Sequence, residues 1–115
     1  MKIILDKSIF IDTGRFERKL RKIFKLEFKT SSVIEIKNVF IFPDDFNALA
    51  MAEIHLDING FPLKIKQAVP DWMLEKARKT LMPTSISNLY KAAVLHVLER
   101  NKNNIRNLMI NYACI

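Results

Sequence analysis

Between Arg15 and Lys25 six side chains are basic (Arg15, Arg18, Lys19, Arg21, Lys22 and Lys25) against one acid, Glu17, so this stretch carries +5 of the chain's net charge of +7. Cations clustered in this way neutralise backbone phosphates and release their counterions, a source of affinity for DNA or RNA that ignores sequence. The same residues also describe an ordinary solvated helix face, or one that meets an acidic patch on a protein partner. A secondary basic cluster, Lys76, Arg78 and Lys79, lies near the end of a short expected helix, where cations complement the helix dipole.

Two histidines raise a catalytic alternative. His55 has Glu53 and Asp57 two residues away on either side and faces Lys64 across an expected hairpin, groups capable of acid–base work of the kind small RNA-cleaving toxins perform on a sheet face. Any alternating charged strand produces the same arrangement, and His96 falls on the flank of a later helix. Glu53, His55 and Asp57 splay along a strand, and no further His or Cys motif completes a metal site, so none is expected. Gly14 and Gly60 are the only glycines. Phosphate-cradling glycine loops and dinucleotide fingerprints are therefore absent, and no cofactor is expected.

The elements that must position these groups follow from periodicity. At about 100° per residue, Phe16, Leu20, Ile23 and Phe24 share one side of a helix and Arg15, Arg18, Lys19, Lys22 and Lys25 the other. Asp12 or Thr13 is the expected cap, and the helix is expected to stop near Lys25, where the pattern turns to period two. Thr30-Ser31-Ser32 reads as a turn. Strands are expected at 33–42, 48–58 and 61–69, the last two joined by Asn59-Gly60, a pair suited to a type I′ turn because both central residues need positive φ. The register then follows: Ile58 faces Phe61, Leu56 faces Leu63, Ile54 faces Ile65, His55 faces Lys64 and Glu53 faces Lys66. Residues 2–11 offer one more short strand or arm.

Pro70 ends the sheet, with Asp71 as the expected N-cap of a helix from Trp72 to Leu81. Trp72 is expected as a core lid, with an exposed partner anchor as the alternative. After Pro83, the spacing of Ile86, Leu89, Tyr90, Ala93, Val94, Val97 and Leu98 predicts the major packing helix. Leu95 lies opposite that stripe, which leaves it to pack under the C-terminal helix or in an oligomer interface. Asn101 to Asn104 breaks the period, and Ile105, Leu108, Met109 and Tyr112 restart it.

The expected architecture is α+β over residues 1–115 as one small basic domain: a three-stranded antiparallel meander preceded by the basic amphipathic helix and followed by two or three helices. The order helix, three strands, helix resembles a double-stranded-RNA-binding domain in topology alone. The glycine-containing loop and lysine-dense helix start that carry phosphate recognition there are missing, so no family is assigned. Half the residues are hydrophobic and eight are Phe, which excludes disorder and low complexity. The lone cysteine, Cys114, precludes an intrachain disulfide and suits a reducing compartment. The N-terminal apolar run is too short for a secretory signal, and no apolar stretch approaches the ~18 residues of a spanning helix. A cytoplasmic protein with no membrane partner is expected, and the bias toward Ile, Lys and Asn suits AT-rich coding sequence such as that of phages and mobile elements. The function expected is that of a nucleic-acid-binding accessory or regulatory protein, with an acidic-partner adaptor or inhibitor and an RNA-cleaving enzyme as alternatives.

Overall fold

A computed structural model describes residues 1–24, 32–46 and 49–111. In chain order the elements are β1 (Lys2–Leu5), α1 (Gly14–Phe24), β2 (Val33–Pro43), β3 (Ala50–Ile58), β4 (Phe61–Ala68), α2 (Asp71–Lys79), α3 (Pro83–Arg100) and α4 (Lys102–Asn111). The fold is α+β. The expected three-stranded meander is part of a four-stranded mixed sheet of order β1-β2-β3-β4, because the N-terminal segment pairs with β2, and in parallel. Parallel neighbours cannot be joined by a tight turn, so α1 serves as the crossover between them. The expected helix end at Lys25, the turn at Thr30-Ser31, Ala48 at the start of the expected second strand, Tyr112 and Cys114 lie outside the described residues. With β1 at the sheet edge and α2, α3 and α4 after the meander, the chain departs from the topology of a double-stranded-RNA-binding domain.

The β3–β4 hairpin has the register the sequence predicts, from Ile58 opposite Phe61 to Glu53 opposite Lys66. Its turn residues sit at φ +53° (Asn59) and +84° (Gly60), the left-handed values a type I′ turn requires. Asn59 also fixes the neighbouring strand, since its Oδ1 accepts the Val33 amide at 2.8 Å. In β2 the inward positions shift from Ile34 and Ile36 to Val39, because Lys37 is an extra residue between the Ile36–Leu56 and Asn38–His55 pairs. This bulge keeps both apolar sets of the strand on the helix side.

One buried cluster joins the helix-facing side of the sheet to all four helices: Ile34, Ile36, Ile54, Leu56 and Ile58 meet Phe16, Leu20 and Phe24 of α1, Met73 of α2, Leu89, Ala93, Val94, Val97 and Leu98 of α3, and Ile105 and Met109 of α4. The Phe10 and Phe16 rings stack at 5.4 Å and tie the β1–α1 connection to it. Three local expectations are corrected. Asp71 is the first residue of α2 and Pro70 its cap position, with no side-chain cap bond, so the Asp71 carboxylate acts on the dipole from the first turn instead. Thr13, not Asp12, precedes α1: its carbonyl accepts the Glu17 amide at 2.8 Å, whereas Asp12 turns the chain at φ +56°. Trp72 is 49% exposed rather than a lid, because its neighbour Met73, about 100° further round the helix, takes the buried position.

Candidate functional site

The amphipathic pattern of α1 sets Phe16, Leu20 and Phe24 in the core and leaves Arg15, Arg18, Lys19, Arg21 and Lys22 exposed. Lys25, the last residue of the expected cluster, lies outside the described residues. The helix divides the cations between its two flanks. Arg21 turns toward β1, where its guanidinium donates to the Met1 carbonyl at 2.9 Å, so it holds the edge strand as well as carrying charge. Arg15, Arg18 and Lys19 face α3 instead. The secondary cluster Lys76, Arg78 and Lys79 rides on the last turn of α2, which packs against α3, β2 and β3 rather than on α1.

Between α1 and α3 runs an open groove of about 580 Å³. Arg15, Arg18 and Lys19 line it from α1, and Asn88, Lys91, Ala92 and Leu95 from α3, with Phe16, Gly14 and Asp12 completing the wall. Four cations thus stand against one carboxylate. The α3 residues recur at intervals of three and four, a second stripe on the side away from the core. Leu95, unexplained by the core stripe in the sequence, belongs to this wall and is half-buried there. That misplaced leucine was the signal from which Asn88 and Lys91 could have been found.

The upper end of the groove is braced by α3. The Ser87 hydroxyl, buried, accepts the Ile11 amide at 2.8 Å. Lys91 Nζ donates to the carbonyls of Ile11 and Asp12, the latter at 2.8 Å. These bonds hold the chain reversal at Asp12 and so fix where α1 begins relative to α3.

His55 lies elsewhere, on the face of the sheet turned away from the helical core. Its Nε2 is 2.7 Å from Glu53 Oε2, and its ring meets Phe40 edge-on at 5.2 Å. The hydrogen bond with His55 holds the Glu53 carboxyl below its ordinary pKa, with Lys66 and Lys64 assisting and partial desolvation opposing. Lys66 approaches the other Glu53 oxygen at 3.7 Å, and Asp57 pairs with Lys37 rather than with His55. Lys64 occupies its expected place opposite His55. His96, on α3, has Arg100 Nη1 at 3.2 Å from its Nδ1. Burial lowers its pKa and the Arg100 charge adds to this, against a raising hydrogen bond to the Ala68 backbone. The two histidines therefore serve separate surroundings. Among the described residues no group of three His, Cys, Asp or Glu is placed to hold a metal, and no helix is long and apolar enough to cross a membrane. No protein-family model, curated protein or solved structure matches the chain.

Proposed function

We propose that the chain is a nucleic-acid-binding accessory or regulatory protein that engages backbone phosphates with the cationic side of α1. The observation that carries this reading is that, among the described residues, none of Arg15, Arg18, Lys19 and Lys22 is in an ion pair, although all four are exposed on one helix. Cations without internal partners are free to exchange small counterions for phosphates, and that release is the main driving force for backbone binding. The carboxylates of the sheet face behave differently, since Glu53 is taken up by His55 and Lys66, and Asp57 by Lys37. Their mutual satisfaction favours a structural role over the RNA-cleaving alternative.

The test is retardation of random single-stranded and duplex oligonucleotides at ~150 mM salt, with single Lys→Ala and Arg→Ala variants titrated against salt. Binding is expected, and each lost phosphate contact should lower the slope of log affinity against log salt by about one unit. The triple variant R18E/K19E/K22E should fold, because these side chains point away from Phe16, Leu20 and Phe24, and should lose nucleic acid altogether. No retardation of either oligonucleotide refutes the proposal and leaves an acidic protein surface as the partner, recognisable by a few dominant side chains among near-neutral ones.

A further inference from the structure

The groove between α1 and α3 asks for more than an anion. A surface built for phosphates alone is polar throughout, whereas here the cations stand at the rim of a recess whose wall includes Ala92 and Leu95, both half-buried, with the exposed amide of Asn88 beside them. We infer that this groove accepts a nucleotide unit of a single strand, with the base against the apolar wall and the phosphate on Arg15, Arg18 and Lys19. The inference rests on the proposed function and deepens it, by naming which form of nucleic acid the site takes.

Three considerations favour the unpaired nucleotide over the duplex. The volume of about 580 Å³ falls in the roughly 300–1,000 Å³ range of clefts that engulf a small ligand. A duplex offers its bases only stacked and paired, so their flat faces cannot enter a recess, while a single strand can splay one base aside. An apolar wall in contact with a bare phosphate would desolvate the anion without return, but in contact with a base it buries surface that water solvates poorly. Asn88 adds both a donor and an acceptor, the pair of functions that a base edge presents. Asp12, the one carboxylate of the lining, stands where a phosphate would be repelled, which places the phosphate toward Lys19 and Arg18, further along the helix.

Free nucleotides and single-stranded polymers share this chemistry, and the experiment separates them. The full chain is titrated by fluorescence anisotropy with a labelled single strand of ~12 nucleotides and with the duplex of the same sequence, and nucleoside monophosphates and inorganic phosphate are used as competitors. The single strand should bind about tenfold more tightly than the duplex. Asn88→Ala and Leu95→Ser should each weaken the single strand by about tenfold and the duplex by less than about twofold, the asymmetry expected on losing one seated base. Displacement by monophosphates but not by inorganic phosphate at equal concentration identifies the free nucleotide as sufficient; displacement by neither identifies the polymer. Either result supports a nucleotide unit. Equal displacement by both competitors, or a duplex bound as tightly as the single strand, overturns the inference. So does an unchanged single-strand affinity in Asn88→Ala, which is exposed and whose folding is checked by circular dichroism. Where R18E/K19E/K22E still abolishes binding in those cases, the phosphate reading survives; where it too changes nothing, both readings fall.

Discussion

Gly60 offers the sharpest test of the register that places the sheet-face charges. It sits at φ +84°, and a Cβ built there would meet nothing within 4 Å. Any loss on substitution is therefore a backbone effect and not a clash. Holding an L-residue in the left-handed region costs about 1–2 kcal/mol, and restricting the unfolded chain returns about 0.4–1 kcal/mol, so Gly60→Ala should lose about 0.5–1 kcal/mol. Gly60→Val should lose more, about 1.5–2 kcal/mol, since branching at Cβ stiffens the side chain against this region. Gly14 provides the control. It begins α1 without a positive φ and its Cβ direction is equally open, so Gly14→Ala should be neutral or stabilise by up to about 1 kcal/mol. Urea unfolding monitored by circular dichroism measures all three, with the slope m expected to stay constant and only the midpoint to move. A Gly60→Val protein as stable as the wild type would mean that the turn is not at positive φ, and the pairing of His55 with Lys64 and of Glu53 with Lys66 would fall with it.

Two other perturbations probe what holds the groove and α3 in place. Ser87→Ala removes the acceptor of the Ile11 amide and should cost about 1–2 kcal/mol in thermal unfolding; an unchanged melting temperature would show that the brace carries no energy. His96 has a folded-state pKa below its ordinary value near 6.5, so below that pH the unfolded chain binds the proton more readily than the folded one. Stability should fall as pH drops from about 6.5 toward the lowered value, and His96→Gln should flatten this part of the profile; an unaltered profile refutes the assignment.

What was legible in the sequence was what local chemistry decides. Asn59-Gly60 fixes a two-residue turn, and once the turn is fixed every partner from Ile58–Phe61 to Glu53–Lys66 follows by counting. The stripes of α1 and α3 were legible for the same reason, because a helix repeats its own geometry. The parallel pairing of β1 was not, since four residues, Lys2–Leu5, find their partners only after the intervening helix has turned the chain around. The bulge at Lys37 escaped notice because the run from Val33 to Phe42 is rich in β-branched and aromatic residues throughout and hides a shift of phase. Trp72 was misplaced because type alone suggests burial while the rotation of α2 decides it. The groove needed two helices distant in sequence, and only Leu95 hinted that α3 has a second face to cover.

The attachment of β1 has a kinetic consequence. β2, β3 and β4 are neighbours in both sequence and space, so they can zip from their turns. Lys2, by contrast, must find Val33 about thirty residues away, a closure whose entropic cost is met before any ladder bond forms. β1 should join late in folding and leave early in unfolding, and its ladder amides should exchange faster than those of β3. While it is detached, the edge of β2 from Val33 to Ile36 is open to any passing strand. The bond from Arg21 to the Met1 carbonyl closes that window from the helix side, so one cation of α1 also guards the sheet against pairing with the wrong chain.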